Sequence, residues 1–106
     1  MSQTKMWRQG DVLIRRVHSI PKDAKQVPRE NGRVVLAHGE VTGHAHAIAE
    51  PAAALWETKG GKHYLRIDGP ATVRHEEHTA IALKPGTYEV VRQREYSPES
   101  IRNVAD

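Results

Sequence analysis

Ala54-Leu55-Trp56-Glu57-Thr58-Lys59-Gly60-Gly61-Lys62-His63-Tyr64-Leu65-Arg66-Ile67 is two apolar-rich arms around a glycine pair. Glycine supplies the positive φ that a tight hairpin turn demands. Counting outward from Gly60-Gly61 pairs Thr58 with His63, Glu57 with Tyr64, Trp56 with Leu65, and Ala54 with Ile67. The last two pairs then share one face, a predicted core patch of cross-strand neighbours.

The same punctuation recurs along the chain. Val12-Leu13-Ile14, extended to Val17, is a compact apolar run after Gly10-Asp11 and reads as a strand. Residues 18–26 are polar, broken by Pro21, and read as a loop. Asn31-Gly32 is a type I′ hairpin signal joining a strand near 27–30 to one over 33–38, with Pro28 holding the first at a sheet edge. Asp68-Gly69-Pro70 turns the chain. Pro85-Gly86 fits a type II turn that pairs Leu83 with Tyr88 and Ile81 with Val90. Ser97-Pro98-Glu99 has the cap, the proline and the acid of a helix start, so a short helix is expected over 98–105. The expectation is one all-β domain over 1–106. Its seven to nine short strands form a small antiparallel barrel or sandwich, closed by that C-terminal helix.

Composition narrows the chemistry. The chain has 106 residues, no Cys and no Phe, so its core rests on Val, Ile, Leu and Ala around two Trp and three Tyr. Zero Cys excludes disulfide scaffolds, thiolate metal sites and thiol nucleophiles. No apolar run reaches the ~20 residues that span a bilayer. Met1 to Gly10 is polar, with no apolar leader core, which leads us to expect a cytoplasmic protein with no membrane partner.

Charge is uneven. Residues 1–33 carry eight Lys and Arg against three acids, while residues 34–58 carry no Lys or Arg and three Glu. The basic third is the natural contact for nucleic acid or an acidic protein, with Trp7 beside Arg8, and Arg92 and Arg94 near Tyr96, offering stacking and phosphate contacts. Its plainer reading is a solvated surface. The cation-free middle holds His38, His44 and His46.

Four histidines form two pairs, His44-Ala45-His46 and His75-Glu76-Glu77-His78. In a strand, residues two apart point the same way, about 6.5–7 Å between Cα atoms. His44, His46 and Ile48 would share a face, and two such imidazoles can converge on one ion. With Glu76-Glu77 at a hairpin tip, His75 and His78 would be opposed across the strands; with a continuous strand, His75 and Glu77 would share a face instead. A shared metal site competes here with a hydrogen-bonding or pH-sensitive His cluster and with unconnected surface His. His18 and His63 are isolated, and the face of His38 is undetermined.

His44-x-His46-x-x-x-Glu50 resembles the first metal motif of the cupin family, in which two His and a Glu bind iron, manganese, nickel or zinc inside a β-barrel. The resemblance covers residues 39–50. It implies His44, His46 and Glu50 as ligands and a divalent transition metal as cofactor. The family's second motif places a His after a Pro-x-Gly turn, whereas here Pro85-Gly86 follows His75 and His78. The candidate metal ligands are therefore His44, His46, His75, His78 and Glu50, with Glu50, Glu76 or Glu77 as the neighbouring general base. No catalytic residue is assigned. There is no Gly-x-Ser-x-Gly elbow and no phosphate-cradling loop ahead of a helix. The function expected is metal binding, extending to a metalloenzyme of unassigned reaction. The alternative is a non-catalytic or accessory module that docks through the basic third. A pocket in so short a chain is shallow, so a large substrate would need a homodimer or a partner protein.

Overall fold

The computed structural model describes residues 6–39 and 43–93. Ten strands follow in order: β1 (Met6–Gln9), β2 (Val12–Val17), β3 (Lys25–Val27), β4 (Val34–His38), β5 (Ala45–Ile48), β6 (Ala53–Glu57), β7 (His63–Ile67), β8 (Ala71–His75), β9 (His78–Leu83) and β10 (Gly86–Arg92). They form two antiparallel sheets, a six-stranded one ordered β1-β2-β10-β7-β6-β3 and a four-stranded one ordered β4-β5-β8-β9.

Alternation builds the core. Val12 and Ile14 of β2, Leu65 and Ile67 of β7, and Tyr88 and Val90 of β10 point inward from the large sheet. Val34, Ile48, Val73 and Leu83 answer from the small one. Each such aliphatic side chain, fully buried, stabilises by roughly 1.5–3 kcal/mol. Tyr88 lies at the centre, edge-on to Trp7 at 5.6 Å between ring centroids, with its hydroxyl donating to Lys84 O at 2.6 Å.

Of the barrel or sandwich expected from the sequence, the closed barrel is corrected: among the described residues the two sheets remain separate, with no backbone ladder joining them. At the β1–β9 seam the bridge is a side chain, with Gln9 Nε2 donating to Val73 O at 3.1 Å and to Thr79 O at 2.9 Å. The expected helix over 98–105 lies outside the described residues, and no helix occurs among them. Nor is there, among the described residues, any helix long and apolar enough to cross a membrane.

Local pairings were corrected in two places. The Gly60-Gly61 turn is wider than two residues: Thr58 N donates to Lys62 O at 2.9 Å, and Gly61 takes φ 86°. That is the three-residue loop with a left-handed closing residue. The extra residue slips the register by one and exchanges the faces. Leu55 then pairs with Leu65 in the core, while Trp56 pairs with Tyr64 on the outer face. Pro85-Gly86 is no hairpin. It carries the chain from one sheet to the other, and β10 inserts between β2 and β7 instead of pairing with β9.

Other readings match more closely. Asn31 and Gly32 have φ of 53° and 78°, the two positive values of a type I′ turn, but the turn closes only the single Glu30–Arg33 bridge. β3 is an edge strand, preceding Pro28. The 18–26 loop gives its last two residues, Lys25 and Gln26, to β3.

Candidate metal centre

The two histidine pairs meet at one end of the inter-sheet core. β5 is buried throughout, and His46 and Ile48 look inward while Ala45 and Ala47 pack with Val35 on the opposite face. Glu76-Glu77 is a hairpin tip, so His75 and His78 stand directly opposite each other. Ala45 N–H donates to Glu76 Oε1 at 3.1 Å and ties that tip to the start of β5. The ring centroids of His46 and His75 are 4.3 Å apart, those of His75 and His78 4.7 Å, and those of His44 and His75 5.7 Å.

Irregular pairing brings the rings together. The β4–β5 register shifts between Val35 and Ala37, and the β8–β9 register shifts between Val73 and His75. Bulges turn side chains and sharpen local twist. Here both lie within two residues of the pairs that carry His46, His75 and His78.

His46 is 2% exposed, and its hydrogen bonds fix its tautomer. Gln9 spends its amide nitrogen on two carbonyls, so its Oε1 accepts from His46 Nδ1 at 2.8 Å. The proton therefore sits on Nδ1 and the Nε2 lone pair is free. Nε2 faces Asp11 Oδ1 at 3.5 Å. Burial, then the neighbouring His75, lower the pKa of His46 to about 4, outweighing the opposite pull of Asp11, so the ring is neutral at pH 7. Asp11 belongs to the Gly10-Asp11 turn between β1 and β2. Partial burial opposes its ionisation, but Arg92 Nε at 2.9 Å from Oδ2 outweighs that and keeps the carboxyl below its usual value. Gly10 holds φ 58° there, and a Cβ would come within 2.8 Å of His78 Nε2.

The tightest donor group is His44, His75 and Glu76, one ligand atom of each lying within 4.8 Å of the others. The Glu76 carboxyl is held below the ordinary carboxylate range by its own backbone N–H and that of Ala45, with a smaller contribution from His44 and His75. His44 Nδ1 also lies 3.5 Å from Glu77 Oε2. Glu77 N–H donates to His75 Nδ1 at 3.0 Å. A pocket of about 270 Å³ opens over the cluster, lined by Asp11, Gly39, His46, His75, Glu77, His78 and Arg92.

Not every candidate joins. Glu50 sits beyond the far end of β5, and its carboxylate accepts from Thr72 N–H at 3.3 Å. The ligand role that the cupin resemblance implied for it is not supported by this placement. His38 pairs with Glu30 at 3.1 Å, and His63 lies by Glu57 at 3.7 Å on the large sheet. Sequence reasoning missed Gln9 and Asp11. The only signal was Gly10-Asp11, which the sequence reading gives only as what precedes the strand at Val12. Glu76 was read as a base and is placed as a donor.

Four of the eight cations in the basic third bond or pack within the fold. Arg29 donates to the carbonyls of Gly32, Ala49, Glu50 and Ala53. Arg15 pairs with Glu89, Arg8 bonds Gln93, and Arg16 lies over the Tyr88 ring. Trp7 packs on Tyr88. Arg94 and Tyr96 lie outside the described residues.

A family model described as a domain of unknown function, DUF8820, matches residues 8–93, and the chain belongs to that family. The match takes in all ten strands but for the first two residues of β1. No curated protein matches, and no solved structure matches.

Proposed function

We propose that this chain is a metal-binding β protein whose ion, a divalent transition metal, is held by His44, His75 and Glu76. The observation that carries the reading is the 4.8 Å convergence of these three donors from two distant stretches of chain. Two imidazoles and a carboxylate suit zinc or iron, with nickel and manganese as neighbours in preference, and leave coordination positions open. His46 and His78 flank His75 as tilted neighbours, at 4.3 and 4.7 Å between ring centroids. Held by His44, His75 and Glu76, the ion would supply Lewis-acid chemistry. Glu77, which lines the pocket, would serve as the neighbouring general base, and that pairing favours hydrolysis of a small substrate as the reaction class.

Elemental analysis of the untagged chain, purified without chelator, should find at least one ion per molecule. Glu76→Gln and His44→Ala should each weaken binding by more than the ~10–100-fold that outer-shell changes cost. Because Glu77 N–H donates to His75 Nδ1, an ion taken at either ring nitrogen displaces that bond. Loading should therefore shift the Glu77 amide resonance. A chain that takes up no zinc, iron, nickel or manganese at micromolar concentration would sink the reading.

A further inference from the structure

We infer that the cluster holds a second divalent transition-metal ion, bound by Asp11, His46 and His78 beside the first. The inference rests on the metal-binding reading above but on a separate set of donors.

His46 Nε2 and Asp11 Oδ1 face each other while hydrogen bonds hold the far side of each group. Gln9 is 2% exposed, and its amide nitrogen is committed to Val73 O and Thr79 O. Its oxygen can then only accept, which forces the proton of His46 onto Nδ1. The Nε2 lone pair is left facing the Asp11 carboxylate oxygen at 3.5 Å. These two atoms meet at a site where His46 is almost wholly buried, at a spacing near that of two ligand atoms about one ion. Arg92 leaves Oδ1 open, because its Nε bonds the other carboxylate oxygen, Oδ2, and its Nη2 bonds His38 O at 2.7 Å. A cation between Nε2 and Oδ1 would be coordinated by both.

The surroundings match a ligand sphere. A metal-bound His typically donates its other N–H to a fixed acceptor, and an acid ligand is itself hydrogen-bonded. Gln9 does the first for His46 and Arg92 does the second for Asp11. His78 would supply the third donor: its ring lies parallel to that of His46 within 16°, at 5.9 Å, and its Nε2 is 2.8 Å from where a Cβ on Gly10, next to Asp11, would stand. The pocket contains Asp11, His46 and His78 together, open to an arriving ion. The set is again two imidazoles and one carboxylate, borderline in softness and matched to zinc or iron over magnesium or calcium. His75, between His46 and His78, separates the two sets. In this arrangement Gln9 is a positioning residue.

The test is stoichiometry by equilibrium dialysis of the metal-free full chain with Co²⁺, read alongside the cobalt d–d absorption. The wild type should take two ions. Asp11→Asn and His78→Ala should each take one, as should His44→Ala. His78 is exposed, so its variant keeps the test valid if Asp11→Asn fails to fold. Combining His78→Ala with His44→Ala should remove both ions. One wild-type ion, lost in His44→Ala and kept in Asp11→Asn and His78→Ala, overturns this inference and spares the first site. One wild-type ion lost only in Asp11→Asn and His78→Ala sustains this site and overturns the first. A single ion lost in all three variants means one shared centre, and overturns the second ion. No ion at all overturns both.

Discussion

The two sheets differ in regularity. In the six-stranded sheet every pairing runs without a register shift, and its inward side chains are apolar over most of their length. In the four-stranded sheet, two of the three pairings shift register, and the shifts flank the histidines. Each sheet contributes nine of the buried apolar residues, so the difference between them lies in regularity and not in core. The small sheet trades ladder regularity for convergence of donors. The division is physical: a bulge forfeits backbone hydrogen bonds but re-aims a side chain, and both register shifts lie beside histidine-bearing pairs.

The largest break in this comparison is Leu65→Ala. Leu65 is 0% exposed at the centre of the large sheet, and its truncation should cost about 2–5 kcal/mol in urea unfolding. The remaining folded molecules should keep their metal stoichiometry. A loss of ions in step with the loss of stability would show that the sheets are not separable.

Gln9→Ala cuts across the division, because this side chain joins the sheets. It orphans the carbonyls of Val73 and Thr79 and the Nδ1–H of His46. A destabilisation of about 1–3 kcal/mol is expected, from the penalty of buried unpaired groups. Metal titration should show weakened binding at the same time. Loss of stability with unaltered affinity would reduce Gln9 to a structural bridge.

Gly32→Ala should cost about 1 kcal/mol through its positive φ alone, since no atom lies within 4 Å of the added methyl. It should leave metal uptake untouched. A shift in uptake would tie the distal turn to the site.

The smallest effect is a drift with pH. Burial raises the pKa of Tyr88, so the folded state favours the neutral phenol. That contribution is complete below the unfolded value of about 10 and disappears as pH climbs through the raised folded value. Unfolding midpoints should therefore fall above about pH 10 in the wild type and fall less in Tyr88→Phe. Equal slopes would remove Tyr88 as the cause.

Much of this was legible in the residues. His44 and His46 alternate, and Glu76-Glu77 is short enough to oppose His75 and His78, so the meeting of the two pairs was one of the readings that spacing allowed. Asn31-Gly32 declared its turn type. The insertion of β10 between β2 and β7 could not be read, because it joins segments far apart in the chain and Pro85-Gly86 gives an equally good local hairpin. The face of Trp56 was lost through one residue of loop length, which no propensity distinguishes. Asp11 and Gln9 were hidden for a related reason: β1 is four residues long and buries only Gln9, leaving no alternation to detect.

The missing side chain at Gly10 has an experimental use. A methyl group there would occupy room now taken by the His78 and His46 rings. Gly10→Ala is thus a wedge that pushes imidazoles aside while deleting no nitrogen. Beside the histidine variants it separates loss of donor atoms from loss of space, two causes that alanine scanning of the ligands always confounds.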